Sequence, residues 1–162
     1  MSATHTATEH SQPVVFPPVI PLAAFVLGVV LDQLVPVARS ISGPTHAVVR
    51  GVGVLVLVAG ALGFGWMVRT MKKARTPIHN AKTPTALVES GPFAFTRNPM
   101  YLFGSIAYAG LALVLFQPWS LALLPFVVAL THVGVVLREE EFLARRFGDA
   151  YSDYKKRVPR WV

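Results

Sequence analysis

The sequence contains no cysteine, which excludes disulfides, thiolate metal sites and S-palmitoylation and leaves the redox compartment unmarked. It is also short of charge, with 14% Asp, Glu, Lys and Arg against roughly 25% in an ordinary soluble domain. No such residue occurs from 98 to 137 or from 51 to 68, and Asp32 alone interrupts 10–38. Uncharged blocks of that length exclude a compact soluble fold. There is no G-x-S-x-G elbow, no P-loop, no dinucleotide-type glycine pattern and no visible metal-ligand cluster. No Lys or Arg precedes Arg39, so the basic n-region of a signal peptide is missing. The first hydrophobic segment is therefore expected to stay in the mature chain.

What the chain does hold is apolar mass: 162 residues, 53% hydrophobic, with a mean hydropathy of +0.52. The expected architecture is all-α, a polytopic membrane helix bundle of four transmembrane helices followed by a cytoplasmic helical segment. The spans fall at about 19–36, 47–69, 100–116 and 119–137, each near the roughly 20 residues a bilayer core of ~30 Å requires. Only Gln117-Pro118 separates the third from the fourth, which predicts a tight antiparallel hairpin. Residues 1–17, with Pro13 and Pro17, read as a flexible lead-in, and 18–162 as a single integral-membrane domain. Span two carries five glycines and an Ala61-x-x-x-Gly65 spacing suited to close helix packing. Trp66, Tyr101, Trp119 and Trp161 fall near span ends, where interfacial anchoring accounts for all but Tyr101.

The net charge of +7 is distributed as membrane topology rather than as a nucleic-acid footprint. Six basic residues (Arg69, Lys72, Lys73, Arg75, Lys82, Arg97) lie between spans two and three, and seven follow span four. Only Arg39 and Arg50 lie between spans one and two. Both termini are thus expected on the cytoplasmic side of the cytoplasmic (inner) membrane, with anionic lipid headgroups as counter-charge.

Dense polar information then sits on one membrane face, in 70–98 and from Arg138 to Trp161. At 100° per residue, His132, Val136, Glu139, Glu140, Leu143 and Phe147 share a stripe, while Glu141 and Arg145 face away. Two inward carboxylates need cationic or hydroxyl partners. Arg97 is the candidate, and a structural clasp to Glu139 or Glu140 weighs evenly with a ligand site. Gly148 is expected to end this helix and Asp149 to cap a short following one that carries Tyr151 and Tyr154. His132, a lone histidine near the cytoplasmic end of span four, reads first as a hydrogen-bonded structural residue and second as a ligand contact. Metal ligation is not expected. Asp32, near the outer end of span one, is within reach of interfacial water or Arg39.

The run Thr85-Ala86-Leu87-Val88-x-x-Gly91-Pro92-Phe93, then Arg97-Asn98-Pro99-Met100-Tyr101, resembles the first signature of the integral-membrane methyltransferases. These comprise isoprenylcysteine carboxyl methyltransferase and the phospholipid methyltransferases. A second signature is similar in Arg138-Glu139-Glu140, Leu143, Phe147-Gly148, Tyr151, Tyr154 and Val158-Pro159-Arg160-Trp161. The resemblance covers roughly residues 76–161. It implies S-adenosyl-L-methionine as cofactor, touching Leu87, Val88, Phe93, Asn98, Pro99, Met100, Tyr101 and Glu139. Arg97 and Glu140 are the catalytic candidates it implies, with Arg138 and His132 on the side of the substrate, a lipophilic acceptor entering from the lipid bilayer. The chain departs from the pattern at Asn98, where the eukaryotic enzymes carry histidine, and at Val135, where the prenylcysteine enzymes place a substrate-binding arginine. Arg138 is the nearest substitute.

The expected reaction is in-line displacement at a sulfonium methyl. Carboxyl O-methylation of an isoprenylcysteine-like group leads over N-methylation of a phosphatidylethanolamine-type lipid and S-methylation of a small thiol. The alternative of another class is a small transporter or a non-catalytic membrane bundle. A transporter requires polar residues at the bilayer midplane, and spans three and four hold no charge.

Overall fold

The computed structural model describes residues 18–37, 44–76 and 85–162. It is helical, with no strand among the described residues. Six α-helices follow in order: α1 (Val19–Leu34), α2 (Pro44–Lys73), α3 (Pro99–Val114), α4 (Pro118–Thr131), α5 (Leu137–Phe147) and α6 (Asp149–Arg157). A short 3-10 turn, Gly91–Ala94, precedes α3, and a π turn, His132–Val136, joins α4 to α5 without a break. Proline opens α2, α3 and α4, where its fixed φ suits a first turn and its missing N–H goes unused.

Two helices are long and apolar enough to cross a membrane, Pro44–Lys73 and the continuous Pro118–Phe147, each of 30 residues. The other two expected spans form as helices, but α1 and α3 have 16 residues each, shorter than the roughly 20 that a perpendicular crossing takes. The lead-in at 1–17, Arg39 and Lys82 lie outside the described residues.

Large apolar side chains point outward and small ones inward. Val48, Leu55, Val58 and Leu62 of α2 are exposed, as are Leu22, Val26 and Val30 of α1. Gly53, Gly60 and Gly63 are buried. A Cβ on Gly60 would lie 2.5 Å from the Ala107 backbone nitrogen, and one on Gly63 would overlap the Phe103 ring. From α3, a Cβ on Gly110 would overlap the Leu57 backbone. These contacts pair α3, along most of its length, antiparallel to the middle of α2. That inversion of an ordinary core is how helices associate in lipid, where packing rather than water exclusion drives contact. The spacing that packs is therefore Gly53, Gly60 and Gly63, and not Ala61-x-x-x-Gly65. Ala61 is exposed and nothing lies within 4 Å of a Cβ at Gly65.

On the other side α1 crosses α4, where Gly28 meets Ser120 and the Ser120 hydroxyl donates to the Phe25 carbonyl at 3.1 Å. The α3–α4 hairpin forms as expected, with a turn of Leu115–Gln117 in which Phe116 takes a positive φ of 54°. The Tyr108 hydroxyl closes it with a 3.0 Å bond to the Ser120 carbonyl. At the end of α5 the chain reverses at Gly148, whose φ of 52° and ψ of −123° suit only glycine. Gly148 is also the N-cap of α6, with no side-chain cap bond. Asp149 is thus the first helical residue and not the cap; it lies in the first turn, where a carboxylate complements the helix dipole.

Candidate active site

Antiparallel packing of α3 against α4–α5 brings the residues just before α3 to the start of α5. Tyr101, in the first turn of α3, donates a hydrogen bond from its hydroxyl to Glu139 Oε1 at 2.8 Å. One residue on, Glu140 is 7% exposed and faces two guanidinium groups. Arg160 grips it with both ends, Nε to Oε1 at 2.8 Å and Nη2 to Oε2 at 2.9 Å. Arg97 Nη1 stands 3.1 Å from Oε1, as an ion pair rather than an aligned hydrogen bond.

The π turn decides which carboxylate goes where. An extra residue in one turn shifts the register by about one position, roughly 100° on the helical wheel. The face that His132 begins is then continued by Glu140 rather than Glu139. Glu139 swings toward α3 and meets Tyr101.

Arg160 reaches Glu140 because the chain after α6 folds back as a strap. The Arg97 N–H donates to the Pro159 carbonyl at 3.1 Å. The Thr96 hydroxyl and the Asn98 Nδ2 both donate to the Arg160 carbonyl, at 3.2 and 3.1 Å. Thr96 is fully buried and Asn98 nearly so, so these bonds satisfy groups that would otherwise be costly to bury.

Electrostatics follow from this arrangement. Burial by itself pushes the Glu140 carboxyl up, but the hydrogen bond from Arg160 and the charges of Arg97 and Arg160 outweigh it and hold it below its ordinary value. Glu140 stays ionised at neutral pH. The Tyr151 phenol is pushed up, first by burial and then by the charge of Glu140, and stays neutral.

A hydrophobic cluster supports the site from the side of α6. Tyr151, Tyr154 and Val158 form it, with Leu87, Leu143, Ala144 and Phe147 packed against them. The Tyr154 hydroxyl donates to the Phe93 carbonyl at 2.8 Å, and Arg157 pairs with Glu89 at 2.6 Å. These contacts fix 87–95 against α5 and α6.

The structure thus gathers Arg97, Asn98, Pro99, Met100, Tyr101, Glu139 and Glu140 at one end of the bundle. Leu87 and Phe93 hold the loop to the C-terminal helices, Leu87 through its side chain and Phe93 through its carbonyl; Val88, between them, is half-buried. His132 sits on the π turn, its ring centroid 6.0 Å from that of Trp161. Arg138 is exposed. Arg160 and the strap are the parts of this cluster that sequence reasoning missed. Val158-Pro159-Arg160-Trp161 was visible as a motif, but twenty positions separate Arg160 from Glu140 and no helical periodicity joins them. Chemically, the site offers a half-buried carboxylate at Glu139 and a buried Arg97 Nε that lacks a hydrogen-bond partner. A ligand with a cationic centre and a carboxylate fits that donor set.

Two curated relatives share part of this chain. The nickel-cobalt-cadmium resistance protein NccN of Alcaligenes xylosoxydans xylosoxydans is 29% identical over 80 residues, 49% of this chain and 37% of the relative. The cobalt-zinc-cadmium resistance protein CzcN of Cupriavidus metallidurans is 32% identical over 73 residues, 45% of this chain and 33% of the relative. The matches therefore span little more than a third of those relatives' length. No solved structure matches the chain. The family model of the phospholipid methyltransferases matches residues 48–150, from the first turns of the glycine-packed α2 through the Tyr101–Glu139 and Arg97–Glu140 contacts to the first turn of α6, and leaves Arg160 outside. With well over half of its length matched, the chain belongs to the phospholipid methyltransferase family.

Proposed function

We propose that the protein transfers a methyl group from S-adenosyl-L-methionine to a lipophilic acceptor at the cytoplasmic face of the inner membrane. The observation that carries this reading is the Tyr101–Glu139 bond set beside the Arg97–Glu140–Arg160 clasp at one end of an apolar bundle. The cofactor, when bound, supplies an electrophilic methyl on a sulfonium. Glu139, oriented by Tyr101, would face its cationic groups, and Arg97 Nε its carboxylate, while Asn98–Tyr101 and the loop of Leu87 and Val88 would bound it. Glu140 has both oxygens engaged by guanidinium and a lowered pKa, which makes it a poor proton acceptor. Its part is to hold Arg97 and Arg160 in place. Catalysis would then rest on positioning and on exclusion of water.

Four crossings with both termini cytoplasmic remain the topology proposed for residues 18–162 as a single domain, with α1 and α3 as short spans completed by their flanking residues. An isoprenylcysteine-type carboxylate and a phosphatidylethanolamine-type amine both suit entry from the bilayer. Metal binding finds no group of three or more His, Asp or Glu side chains among the described residues. The reading is tested by calorimetry of S-adenosylhomocysteine binding to detergent-purified protein. Wild type should bind, and Glu139→Ala should weaken binding at least tenfold. Absence of binding by folded wild type would refute the reading.

A further inference from the structure

Arg160 joins the two elements on which the Tyr101–Glu139 bond depends. Its carbonyl accepts hydrogen bonds from Thr96 and Asn98, and Asn98 is the N-cap of the helix that carries Tyr101. Its side chain takes both oxygens of Glu140, Nε to Oε1 and Nη2 to Oε2, and Glu140 follows Glu139 in the first turn of α5. One residue is thus tied by its main chain to the start of α3 and by its side chain to the start of α5. The π turn His132–Val136 immediately precedes α5, so the direction of the two carboxylates is set by one irregular turn rather than by a regular helix. Arg97 does not fix that direction. It meets Glu140 at one oxygen, as an ion pair without an aligned hydrogen bond. A guanidinium that grips both oxygens does fix it, because two N–H bonds must point along their acceptors at once.

Resting on the methyltransferase reading, we infer that Arg160 is a positioning residue for cofactor binding: through its two-point grip on Glu140 it sets the rotation of α5 that gives Glu139 to Tyr101 and to the cationic end of the cofactor. Adjacent helical residues point about 100° apart, so a fixed Glu140 fixes the direction in which Glu139 leaves the helix. Without Arg160, Glu140 is held at one point, α5 is free to turn about its axis at the π turn, and the Tyr101–Glu139 bond loses its alignment. Arg160 itself touches neither Glu139 nor Tyr101 through any of these bonds. It lies beyond residues 48–150, the part of the chain that the family match covers.

The test uses the full chain in detergent and calorimetry with two probes, S-adenosylhomocysteine and 5′-methylthioadenosine. The second keeps the adenosine and the thioether and lacks the amino-acid end that Glu139 would face. Arg160→Gln should weaken S-adenosylhomocysteine binding roughly tenfold or more, the scale of one hydrogen bond to a charged group, and leave 5′-methylthioadenosine binding unchanged. Arg160→Lys keeps the charge but cannot bridge both oxygens, and its affinity should fall between. In the Glu139→Ala background, Arg160→Gln should cost no more than about twofold further, because a residue that acts through Glu139 then has nothing left to position. A merely structural strap would weaken both probes and would cost as much with Glu139 absent as with it present. Equal weakening of the two probes, a full loss repeated in Glu139→Ala, or undiminished S-adenosylhomocysteine affinity in Arg160→Gln would each overturn the inference. If Arg160→Gln does not fold, Arg160→Lys carried through the same comparison decides. Failure of folded wild type to bind S-adenosylhomocysteine would instead refute the methyltransferase reading beneath it.

Discussion

Glu139 and Glu140 are adjacent, identical in chemistry and opposite in situation. Glu139 is half-buried and takes a phenol hydrogen bond, whereas Glu140 is locked between two guanidiniums. Removing one partner of a buried pair leaves the other unpaired, at a cost of about 3–5 kcal/mol. Arg160 is partly exposed and can turn to water, so Glu140→Gln should cost toward the lower end, read as a fall in the thermal midpoint of the detergent-solubilised protein. The pH dependence has a definite sign. Folding lowers the Glu140 pKa, so its contribution to stability is present above the ordinary carboxylate pKa and is lost as pH falls through the folded value. Unfolding midpoints of wild type and Glu140→Gln should therefore converge in acid and separate toward neutral pH.

The helices associate through backbone proximity, so glycine substitutions divide by face. Gly60→Ala would drive a methyl against the Ala107 backbone and should destabilise by about 1–3 kcal/mol, as overpacking does. Gly65→Ala meets nothing within 4 Å and should be neutral or stabilising by up to about 1 kcal/mol through helix propensity. Equal effects of the two on the thermal midpoint would contradict the packing described. The spacing Ala61-x-x-x-Gly65 was equally legible as a motif. Only the partner helix shows that the packed face runs through Gly53, Gly60 and Gly63, because a glycine-rich helix offers several small faces.

Across the whole molecule, the strap ties the C-terminal residues to the start of α3. Truncation after Arg157 removes Val158, the Pro159 and Arg160 carbonyl acceptors and the Arg160 guanidinium together. Thr96, Asn98 and the Arg97 N–H then lose their partners, and Glu140 keeps one cation of two. The truncated chain should still insert into membranes, because the apolar helices are untouched, yet bind S-adenosylhomocysteine at least tenfold more weakly. Retained affinity, measured by calorimetry, would show that the strap does not shape the site.

The order of hydrophobic and charged blocks sufficed to determine an all-helical, membrane-type chain with its polar chemistry gathered at two segments. Charge is too costly in hydrocarbon to be placed freely, so its absence marks lipid-facing length. The chain reversal at Gly148 was legible because it rests on a local backbone requirement, and a cationic partner for the α5 carboxylates was legible because a buried charge must be paired. The rest was settled by contacts between distant parts of the chain. Arg160 meets Glu140 only because α6 turns the strap back. Tyr101 meets Glu139 rather than Glu140 only because one π turn rotates the helix, and a sequence read at 100° per residue has no means of registering one added residue in a turn.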